Sequence, residues 1–113
     1  MSGDSTIAET VLVADDDPDL VLLVARRLAK DGYQVLTACD GEDALHQAQQ
    51  GRPQLAVLDV MMPKLTGVEV MERLRSDPAT QAIQIVLISA GSFGSASDED
   101  VPAGADGYVK KPF

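Results

Sequence analysis

Four acids, Asp15, Asp16, Asp17 and Asp19, stand within five residues where the apolar run "TVLVA" (10–14) ends. Two carboxylates about 5 Å apart repel by roughly 3 kcal/mol at an effective dielectric of about 20. Such a cluster therefore needs a cation, a helix N-terminus or open solvent to offset it. Another acid, Asp59, stands near the end of the apolar run "QLAVLDV" (54–60), Ser89 closes "IQIVLIS" (83–89), and "GYVK" (107–110) runs into Lys111. Acids, a hydroxyl and an ammonium brought to one edge suit a hard divalent cation such as Mg2+, which takes oxygen ligands and keeps waters beside one or two carboxylates. An Asp ending a buried strand beside that cation is a nucleophile able to take a phosphoryl group as an acyl phosphate. Positioning and charge neutralisation supply most of the catalysis in such a transfer.

The elements that must carry these residues are legible as a pattern. The runs 10–14, 54–60 and 83–89 are nearly continuous and rich in β-branched residues, as strands buried on both faces are. "YQVLTA" (33–38) and "GYVK" complete a set of five. Helical patterns lie between the first four. Asp17-Pro18 is an N-cap and first-turn pair, Leu20, Val21, Val24 and Leu28 form one face, and Asp31-Gly32 is the stop. Asp40 caps a second helix, with Asp43 three residues on. Thr66 and Glu69 form a capping box for a third, which Asp77-Pro78 ends. Alternating strands and helices imply a parallel sheet covered on both faces, with right-handed crossovers. In such sheets ligands bind at the carboxyl ends of the strands, which is where Asp15, Asp16, Asp59, Ser89 and Lys110-Lys111 fall.

Two places depart from the pattern. "AGSFGSASDEDVPAGA" (90–105) has glycines, a proline and few large apolar residues, so it reads as a loop with at most a turn or two of helix. After the fifth strand the chain stops at Phe113, where a covering helix is expected. A chain cut out of a longer protein would leave apolar surface uncovered beside the first helix and the sheet, with dimerisation or lowered stability as the consequence.

The 113 residues suit one domain, and residues 1–9 read as a flexible lead-in without the basic and apolar regions of a signal peptide. The net charge of −9 argues against a nucleic-acid or anionic-membrane surface, and no run approaches the ~18 residues of a membrane span. A single cysteine, Cys39, cannot form an internal disulfide; it fits a reducing cytoplasm and is expected as a small core residue. His46 is expected on the surface, Gly67 at a close packing contact, and the Met61 and Met62 side chains as packing.

In order, and over residues 10–113, "VLVADDDPD", "DVMMPKLTGVEVMERLR", "LISA" and "GADGYVKKPF" resemble the receiver domain of bacterial two-component response regulators. The resemblance implies a flavodoxin-like α/β fold with strand order 2-1-3-4-5. It implies that Asp59 is the phosphoacceptor, that Asp16 binds Mg2+ directly and Asp15 through water, and that Met61 adds its backbone carbonyl. Ser89 would bond the phosphoryl oxygen, Lys111 would be the lysine of the "KP" motif, and Tyr108 the aromatic that turns inward with Ser89. A half-buried strand aromatic is an equally good reading of Tyr108. The implied donor is a histidine kinase or phosphotransfer protein, and the implied target a C-terminal output domain or partner protein. Such a module is a switch that catalyses only its own phosphorylation and dephosphorylation.

Other readings fit less well. Asp15, Asp17 and Asp19 mimic a calcium loop, but Leu20 stands where that loop needs Gly and Arg26 where it needs Glu. A dinucleotide fold needs a glycine-rich first turn, and this one is acidic. A dehalogenase-type phosphohydrolase needs a second acid two residues after the nucleophile, where Met61 stands. A docking module that no longer signals by phosphorylation stays open, because residues 90–105 are poorly suited to a signalling helix.

Overall fold

The structure, a computed structural model, describes residues 9–89 and 103–110. Five strands form one parallel sheet: β1 (Thr10–Ala14), β2 (Gln34–Ala38), β3 (Leu55–Asp59), β4 (Gln84–Ser89) and β5 (Gly107–Lys110). Their order is β2-β1-β3-β4-β5. Three helices alternate with the first four strands: α1 (Pro18–Lys30), α2 (Gly41–Gly51) and α3 (Gly67–Arg75). Residues 90–102 of the fourth helical slot and residues 111–113, with Lys111, lie outside the described residues, as do residues 1–8. The last residue of the expected lead-in, Glu9, already joins the sheet, where its carbonyl accepts from Gln34 N–H at 2.9 Å.

Local chemistry sets each helix start. The Asp17 side chain accepts from the Asp19 and Leu20 N–H groups (3.0 and 3.3 Å), with Pro18 in the first turn. Asp40 accepts from Asp43 N–H at 2.7 Å. Thr66 and Glu69 form the reciprocal capping box, at 2.9 and 3.1 Å. Each cap satisfies N–H groups that have no partner within the helix.

Alternate residues of the strands face two different layers. Leu12, Ala14, Ala56, Leu58, Ile85 and Leu87 belong to the main core, with Ala44 and Ala48 of α2 and Val70, Met71 and Leu74 of α3. On the other face α1 buries only Val21, and a groove of about 240 Å³ runs between it and the sheet. Val13, Val57, Val86, Ile88 and Val109 line the groove from the sheet, and Leu20 and Val24 from α1. Val57 and Val86 are therefore only partly buried, where strands covered on both faces were expected. Uncovered apolar surface was expected beside the first helix, and the groove lies there.

Two single-residue expectations differ in outcome. His46 is exposed as expected. Cys39 is also exposed, not a core residue. It follows β2 at the carboxyl edge, where the chain has left the sheet and turns towards the Asp40 cap.

Candidate functional site

Parallel pairing brings the acids together. Ala14 is level with Leu58 in the β1–β3 register, so the next residues, Asp15 and Asp59, end neighbouring strands side by side. Asp15 N–H donates to Ala38 O at 3.2 Å, which carries the β1–β2 pairing one residue past the strand. One carboxylate oxygen each from Asp15, Asp16 and Asp59 lies within 4.8 Å of the others. Asp15 and Asp59 are 1% and 4% exposed, whereas Asp16 faces solvent, so the trio is a buried pair with one open side. Asp15 also accepts from Asp17 N–H at 3.0 Å, which turns the chain away before α1 begins. Asp17 and Asp19 stay outside the trio, at the α1 N-terminus, where the helix dipole favours negative charge.

Three carboxylates this close repel strongly unless a cation lies among them. All are hard oxygen donors, the set that suits Mg2+ or Ca2+ over a softer metal. The donor set therefore fits a divalent cation, and the trio could hold one.

The neighbouring elements frame this edge. Ser89, 5% exposed, ends β4 one step beyond Ile88, which is level with Asp59. Tyr108 on β5 is level with Leu87, packs against the core layer and has its hydroxyl shielded from solvent. Lys110 is level with Ser89, and Lys111 follows outside the described residues. Met61 lies two residues past Asp59 and its side chain is exposed, not packed as expected, because it stands in the loop beyond the end of β3, while Met62 is buried in the core as expected.

The loop after β3 is held from two sides. Gly67 N–H donates to Val60 O at 2.9 Å, and a Cβ at Gly67 would overlap the Asp59 carbonyl. The close contact expected at Gly67 is therefore with the backbone of the acid itself. On the other side Pro63 O accepts from Gly41 N–H at 3.0 Å. Lys64, with φ of 74°, reaches Asp40 and Glu42 at 3.7 and 3.9 Å. The part played by Lys64 has no local signature in the sequence, because it depends on two loops meeting across the carboxyl edge.

A family model for the response regulator receiver domain matches residues 11–113. The chain belongs to that family. Among curated proteins, the receiver is 41% identical over 103 residues to the alkaline phosphatase synthesis transcriptional regulatory protein PhoP of Bacillus subtilis. The match covers 91% of this chain and 42% of that protein, so the chain spans less than half the length of this relative. Among solved structures, chemotaxis response regulator CheY4 of Vibrio cholerae superposes with a TM-score of 0.83 at 31% identity, covering 94% of this chain and 88% of that one. Response regulator protein TrrA of Thermotoga maritima, solved in complex with Mg(2+)-BeF, superposes with a TM-score of 0.76 at 34% identity, covering 93% of this chain and 88% of that one. The flavodoxin-like strand order is thus the observed one. Among the described residues no helix is long and apolar enough to cross a membrane.

Proposed function

We propose that the receiver takes a phosphoryl group onto Asp59 from the phosphohistidine of a histidine kinase or phosphotransfer protein. An Asp59 carboxylate oxygen attacks phosphorus, the P–N bond breaks, and the histidine nitrogen leaves with the electron pair and picks up a proton. Asp15, Asp16, Asp59 and the Met61 carbonyl would hold Mg2+, which supplies screening of the negative charge that builds on the transferred oxygens. The observation that carries this reading is the meeting of Asp15, Asp16 and Asp59 within 4.8 Å, with Asp59 buried at a strand end. A relative at 34% identity solved with Mg(2+)-BeF supports it.

In this reading Ser89 donates its hydroxyl to a phosphoryl oxygen, and Lys111 pairs with another. That bond favours the inward Tyr108, whose hydroxyl is shielded from solvent here, and the surface around the fourth helical slot and β5 shifts population towards a form that an output domain or partner protein recognises. The module works in the cytoplasm as a switch and turns over only its own phosphoryl group.

Intact mass after incubation with a small-molecule phosphodonor tests the reading. A gain of one phosphoryl group that needs Mg2+ and disappears in Asp59→Asn is the expected result. No gain in folded wild-type protein would overturn it and favour the docking module.

A further inference from the structure

Far from the acids, at the amino-terminal edge of the sheet, Arg75 ties three segments together. It is the last residue of α3. Its Nη1 donates to the carbonyls of Gln81 and Ile83, each at 2.6 Å, just ahead of β4. Its Nε donates to Gly104 O at 3.0 Å, and Nη2 to Asp106 Oδ2 at 2.8 Å, both just ahead of β5. The same Asp106 oxygen accepts from Ile85 N–H at 2.8 Å, while Asp106 N–H donates to Ile85 O at 2.7 Å. Asp106 thus adds one rung to the β4–β5 ladder before β5 begins, and the guanidinium holds that rung in place. The Arg75 side chain is 25% exposed, so the charge-assisted bonds form in a partly dried setting that strengthens them.

β5 needs such a device. It is four residues long, lies at the edge of the sheet and opens with Gly107. Its two apolar residues, Tyr108 and Val109, are adjacent, so the hydrophobic pattern fits either face equally well. A slip of one residue would exchange them between the core and the groove, because side chains alternate along a strand. The observed register sets Tyr108 beside Leu87 and Lys110 beside Ser89.

We propose that Arg75 and Asp106 are positioning residues for phosphoryl transfer: from the far edge they set the β5 register that delivers Tyr108 and the strand end leading into Lys111. The inference rests on the phosphoacceptor reading above.

The test compares wild type, Arg75→Met, Arg75→Lys and Asp106→Asn by three measurements: rate of phosphoryl gain by intact mass, Mg2+ affinity by calorimetry, and amide hydrogen exchange along the strands. In Arg75→Met, the rate should fall about 10-fold or more, as for other small displacements of reacting groups. Mg2+ affinity should stay at the wild-type level, because the acids sit on β1 and β3. Exchange should quicken at Tyr108 and Val109 and stay slow in β1 and β3. Adding Lys111→Ala should slow Arg75→Met no further than Lys111→Ala alone, since residues acting through one another are not additive. Arg75→Lys should fall between, because one ammonium cannot span all four acceptors.

Should Arg75→Met fail to fold, Asp106→Asn decides the matter. It keeps an acceptor for Ile85 N–H, loses the charge opposite Arg75, and should show the same selective slowing to a smaller extent. An unchanged rate, effects that multiply with Lys111→Ala, or a parallel loss of Mg2+ affinity would overturn the positioning role. Wild-type protein that gains no phosphoryl group would instead overturn the phosphoacceptor reading, and β5 exchange would still decide whether Arg75 sets the register.

Discussion

Asp16 is the solvent-facing member of the acidic trio, and its charge adds to that of two buried neighbours within 4.8 Å. Without a cation it adds repulsion, and with one held as proposed it would add a ligand. Asp16→Asn should therefore raise the melting temperature in chelator-treated buffer and shrink the further rise that Mg2+ produces. Thermal denaturation in both buffers checks the two signs, and a variant less stable without metal would refute the repulsion argument. Gly67 is the second residue whose role is sharply defined. Its missing side chain lets α3 begin against the Asp59 carbonyl, so Gly67→Ala must push the loop or the acid aside. It should destabilise the domain by about 1–3 kcal/mol, the usual cost of overpacking a close contact. Mg2+ affinity should fall with it. Urea denaturation and calorimetry measure the two effects, and a neutral Gly67→Ala would mean that the loop yields freely. Both consequences come from one backbone contact. The site residues themselves were legible as acids at strand ends. The Gly67 contact was legible only as a tight spot, because sequence does not say which carbonyl lies opposite.

At the scale of elements, α3 joins a reciprocal capping box to the fullest burial among the described helices. Thr66→Ala removes the capping-box acceptor and should cost about 1 kcal/mol. Leu74, wholly buried in the core layer, should cost about 2–5 kcal/mol when cut to Ala. By contrast Leu23 on α1 is 66% exposed, and Leu23→Ala should stay within about 0.5 kcal/mol. Urea midpoints for the three variants check this ranking, and a costly Leu23→Ala would mean that something covers the exposed side of α1. The helices were readable because caps and apolar periodicity are local signals. Uncovered apolar surface beside α1 was expected, but that Val21 alone of its stripe would be fully buried was not readable, since a helix stripe shows which residues can be buried and not how much surface is there to bury them. Cys39 failed for a similar reason. An apolar strand predicts burial only as far as the sheet continues, and the chain leaves the sheet one residue earlier.

For the whole molecule, a metal ion held by the trio as proposed would couple binding to folding. The unfolded chain cannot hold its three acids within 4.8 Å, so Mg2+ held by the trio would bind the folded state preferentially. At Mg2+ one hundred times its dissociation constant the gain is about 2.7 kcal/mol. That corresponds to a rise in Tm of roughly 10 °C for a domain near this size, reversed by chelation. A thermal scan with Mg2+ and then excess chelator measures it, and no shift would count against a metal site. The net charge of −9 works in the same direction, since a bound cation relieves part of the self-repulsion of the compact state.

By itself the sequence determined the alternation of strands and helices, the caps, and the placing of Asp15, Asp16, Asp59 and Ser89 at strand ends. These follow from interactions between residues near one another in the chain. The tertiary structure alone decided which oxygens meet, which residues of the α1 stripe are buried, and how β5 is held. A register is a relation between strands far apart in sequence, and the Arg75–Asp106 pair spans 31 residues. No local propensity records such a contact, because it exists only when α3, β4 and β5 have already packed together.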